Sequence, residues 1–148
     1  MAAPERSSRG RRTNSGAGRV LVAVYAVFAL SASARAGVQL TTQYHEAPLA
    51  YLLSALAAVV YIVATITLAR GTAGSRRWAT IAIVVELVGV LTVGTLSVFD
   101  AEAFPRATVW SIYGIGYGFV PLVLPILGLI WLWRTRPVEP RPTVSTPA

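Results

Sequence analysis

Four apolar stretches, each about as long as a bilayer is thick, dominate this chain: residues 20–39, 48–69, 78–98 and 108–133. A helix needs roughly 20 consecutive, largely apolar residues to cross the hydrocarbon core, and within lipid the backbone must satisfy its own polar groups. Stretches of this length predict helices that span a membrane. Short polar segments separate them, at 41–47, at 70–77 (RGTAGSRR) and at 99–106 (FDAEAFPR). Connections this short set consecutive helices antiparallel. The expectation is an all-α polytopic membrane protein, an antiparallel four-helix transmembrane bundle occupying residues 19–133.

The flanks differ in composition. Residues 1–18 place Arg6, Arg9, Arg11 and Arg12 among Ser, Gly and Asn, and residues 134–148 hold four prolines. Neither can bury a core, so both are expected to be disordered tails. Of the 148 residues 55% are apolar, above the roughly 45–50% usual for soluble domains. There is no cysteine, which excludes disulfides and thiolate chemistry.

Every basic residue is an arginine, and the net charge is +7. Eleven arginines fall in the two tails, at Arg19 beside the first of them and in the 70–77 turn, against two, Arg35 and Arg106, towards the other side. Positive residues are retained on the cytoplasmic side, so both termini are expected in the cytoplasm. Trp78, Trp131 and Trp133 at that end suit an interfacial aromatic belt. The start of the chain admits a second reading. Basic residues, an apolar run from Val20 to Leu30 and "ASA" at 32–34 resemble a signal peptide cut after Ala34. Cleavage would leave three spans in the same orientation. The apolar pattern continues to Leu40, which favours an uncleaved anchor.

The fourth stretch is the most apolar and also the richest in helix breakers. On a helical wheel at 100° per residue, Gly114, Gly118, Pro121, Pro125 and Gly128 fall within an arc of about 80°. Gly114 and Gly118 form a small-xxx-small pair that would let a neighbouring helix approach closely. In a continuous helix Pro121 and Pro125 would free the carbonyls of Tyr117 and Pro121 towards the bundle interior.

Glu86 is the one acid inside a span, eight residues into the third, hence about 12 Å from its arginine-rich end. An ionisable side chain at that depth is costly, by roughly 2.5–3.5 kcal/mol on insertion scales, and is a functional candidate by default. Ala79, Ala82, Gly89, Val93 and Ser97 share its face, and Ile81, Val84, Val88 and Leu91 lie opposite, so Glu86 is expected to face protein. Arg35 lies about 12 Å farther along. It could meet Glu86 through tilt or water, turn outward, or pair with Glu46, Asp100 or Glu102. Tyr25, Tyr61 and Tyr117 fall at depths near Glu86. Glu86, Tyr61, Tyr117 and the Tyr117 carbonyl are therefore grouped as an intramembrane polar site, with Arg35 as a candidate member. Two readings stay open: a protonated Glu86 that hydrogen-bonds a tyrosine and holds the bundle together, or a proton or cation site.

No nucleotide loop, zinc motif or nucleophile elbow occurs, and His45 is the one histidine. No catalytic residue, metal ligand or cofactor is assigned, and the chain is not expected to be an enzyme. The arginines are not interleaved with aromatics, so nucleic acid is not an expected partner.

The pattern RAGVQL…EAPLAYLLSALAAVVY…VELVGVLTVGTLS…FPRATVWSIYGIGYGFVPLVLPILGLIWL resembles small four-span integral membrane proteins of actinobacteria, over about residues 18–133. The resemblance implies a bacterial inner (cell) membrane location and carries over no site residue. The chain resembles small multidrug transporters in architecture only, because their membrane carboxylate lies in the first span and Glu86 lies in the third. The expected function is a structural or accessory subunit of a larger membrane assembly, or a homo-oligomer. The alternative is a small oligomeric proton- or cation-linked transporter using Glu86.

Overall fold

A computed structural model of the chain describes residues 16–137. The expected disorder of residues 1–15 and 138–148 lies outside the described residues. The order is α1 (Gly16–Thr42), α2 (Pro48–Arg70), α3 (Ala73–Phe99), a 3-10 segment (Ser111–Tyr117) and α4 (Val120–Arg134). No strand occurs among the described residues.

Helices α1, α2 and α3 have 27, 23 and 27 residues. At 1.5 Å per residue each exceeds the roughly 30 Å hydrocarbon core. All three are long and apolar enough to cross a membrane, and the 3-10 segment with α4 would make a fourth span if the two count as one bent crossing. Their outward faces carry Leu30, Leu52, Val59, Val84, Val88 and Ile130, all exposed. Water would not tolerate that much contiguous apolar surface on a lone chain, whereas lipid does. Hydroxyls within the helices return their hydrogen bonds to the preceding turn, as Ser54 does to Ala50 O and Thr65 to Tyr61 O. Such bonds keep these donors satisfied where no water is present.

Local chemistry sets the helix ends. Pro48 opens α2, where a missing N–H is harmless. Gly71 ends α2 in the left-handed region at φ 63°, and the Thr72 hydroxyl then accepts from Ser75 N to cap α3. The turn expected at 70–77 therefore shrinks to about two residues, and α3 begins at Ala73 instead of residue 78. Serine and two arginines look like a loop in composition, but the Thr72 cap outweighs them. Arg76, gained by α3, donates to Leu132 O and to Thr135 Oγ1 at 3.1 Å, fastening α3 to the last turn of α4.

Small residues bring α1, α2 and α3 together. Ala29, Ala32, Ala57, Ala58, Ala64, Ala79 and Ala82 are all buried in one cluster, the packing expected where backbones approach closely in lipid. Neighbours run α1–α2–α3–α4, and α1 meets α4 only sparsely. Arg19, Arg76 and Arg134 gather at one end, and Arg35, Glu46 and Arg106 at the other.

The continuous fourth helix expected over 108–133 is corrected. The 3-10 segment and α4 meet at 98°. Ile112, Tyr113 and Gly114 have φ of 47°, 56° and 79°, Gly118 has 62° and Phe119 has 59°. Gly114 and Gly118 thus serve a sharp bend of the chain and not a small-xxx-small helix contact. A Cβ on Gly114 would fall 2.7 Å from the Pro121 ring, so the close approach is within the fourth segment itself. Pro121 occupies the first turn of α4, where no intrahelical donor is required, so it does not free the Tyr117 carbonyl from a helix. Pro125 lies inside α4 and does leave the Pro121 carbonyl without its helical donor.

Candidate functional site

Glu86 is fully buried in the middle of α3. Its Oε2 accepts a hydrogen bond from the Tyr25 hydroxyl at 2.7 Å, and its Oε1 has no protein partner among the described residues. The bond crosses the bundle diagonal, because α1 and α3 are not neighbours. The face that carries Glu86 is small: Ala79, Ala82, Val93 and Ser97 are buried beside it, while Ile81, Val84, Val88 and Leu91 are exposed.

Trp110 packs on the same face of α3. It is 1% exposed, and its indole N–H donates to the Tyr61 hydroxyl at 3.2 Å. Its ring lies against Gly89, where a Cβ would sit 2.6 Å from it. One turn farther, a Cβ on Gly94 would lie 2.6 Å from the Tyr113 ring and 2.9 Å from its backbone N. Ile112 N donates to Ser97 Oγ at 2.7 Å, and the Thr95 and Tyr113 hydroxyls are 2.9 Å apart. The small face of α3 is thus the seat of the folded-back segment. Thr108 and Ser111 close the turn before it, with Thr108 N donating to Ser111 Oγ at 2.8 Å.

Aromatic rings link these groups towards the far end. Tyr25 and Tyr61 have centroids 6.2 Å apart, Phe28 and Tyr61 5.5 Å, and Phe28 and Tyr117 5.7 Å. Arg35 donates to the Tyr117 hydroxyl at 2.9 Å and to Ala107 O at 2.8 Å. It therefore pairs neither with Glu86 nor with an acid of the loops. The Glu46 carboxylate instead takes Arg106 at 2.9 Å, in an exposed pair.

Of the residues grouped from sequence, the structure brings Tyr61 close to the Tyr25–Glu86 pair and sets Tyr117 with Arg35 at the far end of the aromatic row. Tyr25, noted only for its depth, is the residue that bonds the carboxyl. Trp110 and Gly94 were missed, and Gly89 was placed on the Glu86 face without its role as the seat of Trp110. The signal was the run of small residues on one face of α3, which marks a seat without naming its occupant. Among the described residues no three His, Asp or Glu side chains gather to hold a metal ion. The chemistry on hand is that of one carboxyl, several phenols and an indole.

Comparison with protein-family models, with curated proteins and with solved structures finds no match for this chain.

Proposed function

We propose that this chain is a multi-pass protein of a bacterial inner membrane, of the small four-span kind known from actinobacteria, with both termini cytoplasmic. Its role is structural or accessory: a subunit of a larger membrane assembly, or a self-associating bundle. The arginine imbalance supports the orientation. The observation that carries the structural role is the Tyr25–Glu86 bond. The one acid within the apolar stretches is used inside the bundle to brace two helices whose backbones are not in close contact, and it reaches no surface. The reading assigns no catalytic residue.

The test is a native mass spectrum of the tagged full-length protein extracted gently from its own membranes. A stoichiometric partner or a defined homo-oligomer is expected. A bare monomer from several mild detergents would contradict the role.

The second reading, a proton- or cation-linked carrier, is favoured by one observation: Glu86 Oε1 is buried without a protein partner, beside a span that is broken. The two readings part at Glu86→Gln. The amide oxygen can still accept from Tyr25, so a brace predicts stability within about 1 kcal/mol of wild type and unaltered assembly. A carrier predicts that any transport is abolished while the protein still inserts.

A further inference from the structure

The sparse contact between α1 and α4 leaves a seam. Its lining is aliphatic, from Val20 and Val24 on α1 and Leu124, Leu127 and Ile130 on α4, with Arg134 at its arginine-rich mouth and a volume of about 430 Å³. Trp131 also borders an adjoining groove of about 280 Å³ that holds Arg19. The Trp131 indole N–H is buried and has no acceptor among the described residues. Arg19 and Arg134 form no ion pair among the described residues. An apolar trough thus ends at Arg134, with Arg19 in the adjoining groove across Trp131.

We propose that this seam binds one phospholipid with an anionic headgroup, an acyl chain in the trough and the phosphate between Arg19 and Arg134. Length selects a lipid over a partner helix. From Leu124 to Arg134 the trough extends about 15 Å at 1.5 Å per residue, about half of a roughly 30 Å hydrocarbon core, which is one leaflet. A transmembrane partner would need a seam through both leaflets, and α4 begins only at Val120, just after the chain has turned by 98°. Charge selects the headgroup, because basic pockets between helices at the membrane surface favour acidic lipids. The seam requires only membrane insertion, so it does not depend on whether the protein is a subunit or a carrier.

The test uses the full-length protein, delipidated in detergent, titrated with dioleoyl phosphatidylglycerol or dioleoyl phosphatidylcholine and read by native mass spectrometry. One phosphatidylglycerol adduct is expected to bind at least tenfold more tightly than phosphatidylcholine. Arg19→Gln with Arg134→Gln should weaken it about 30-fold and weaken phosphatidylcholine less, because choline already offsets that lipid's phosphate charge. Both arginines are exposed, and a thermal melt checks that the variant folds. Leu127→Trp, at a half-exposed position, should fill the trough and weaken both lipids. Equal affinity for the two lipids, or no adduct, would overturn the proposal. So would an equal loss from Arg70→Gln with Arg77→Gln, which lie off the seam, since that would mean diffuse attraction. A dimer that excludes the adduct would also overturn it, because the occupant would then be a second copy.

Discussion

Gly94→Ala is expected to destabilise the protein by about 1–3 kcal/mol, whereas Gly37→Ala should be neutral or stabilising by up to about 1 kcal/mol. Both glycines lie within long helices, and they differ in what an added methyl meets. At Gly37 there is nothing within 4 Å. At Gly94 the methyl would lie 2.9 Å from the backbone N of Tyr113, which has little room to retreat. Its neighbour Ile112 is held by Ser97, and its own hydroxyl by Thr95. The methyl should therefore lift the whole 3-10 segment off α3. Unfolding of the full-length variants in detergent, followed by tryptophan fluorescence, checks the pair. Equal stability of the two would mean that the segment does not rest on α3.

Trp110→Ala carries the largest expected effect, about 3–5 kcal/mol. The ring is among the largest fully buried side chains, and it closes the space over Gly89 and Tyr61. Trp110→Phe separates the two contributions. It keeps most of the apolar volume and loses the indole donor, so about 1 kcal/mol is expected from the hydrogen bond to Tyr61. A cycle with Gly89→Ala should be non-additive, because the methyl and the ring compete for one space. Additive losses would show that Trp110 acts elsewhere.

The first three helices were legible as candidate spans because hydropathy reports them directly: a run of about 20 apolar residues in a chain with few charges has few other folds open to it. The third boundary was misplaced because Ser75, Arg76 and Arg77 read as loop, while a single capping hydroxyl on Thr72 recruits them into the helix. The fourth span held its own warning. Gly114, Gly116 and Gly118 within five residues mark a break, yet an apolar run of that length also reads as one helix, and a helical wheel presupposes the helix it is drawn on. The burial of Glu86 followed from its small-residue face. Its partner did not, since Tyr25, Tyr61 and Tyr117 all fall at similar depth, and only the rotation of each helix decides which hydroxyl arrives. Arg35 was likewise free to choose among several acids, and the 3-10 segment offers it Tyr117, and the loop before that segment the Ala107 carbonyl, before any of them.

The brace between Tyr25 and Glu86 is the most direct thing to measure. A double-mutant cycle of Tyr25→Phe and Glu86→Leu, read as unfolding free energy of the full-length protein in detergent, isolates the bond from the packing around it. A coupling of about 1 kcal/mol is expected, in the range of interhelical hydrogen bonds in membranes. Glu86→Gln should retain most of the wild-type stability. Zero coupling, with each single variant as stable as wild type, would show that the buried carboxyl does not hold the bundle together and would contradict the structural role assigned to it.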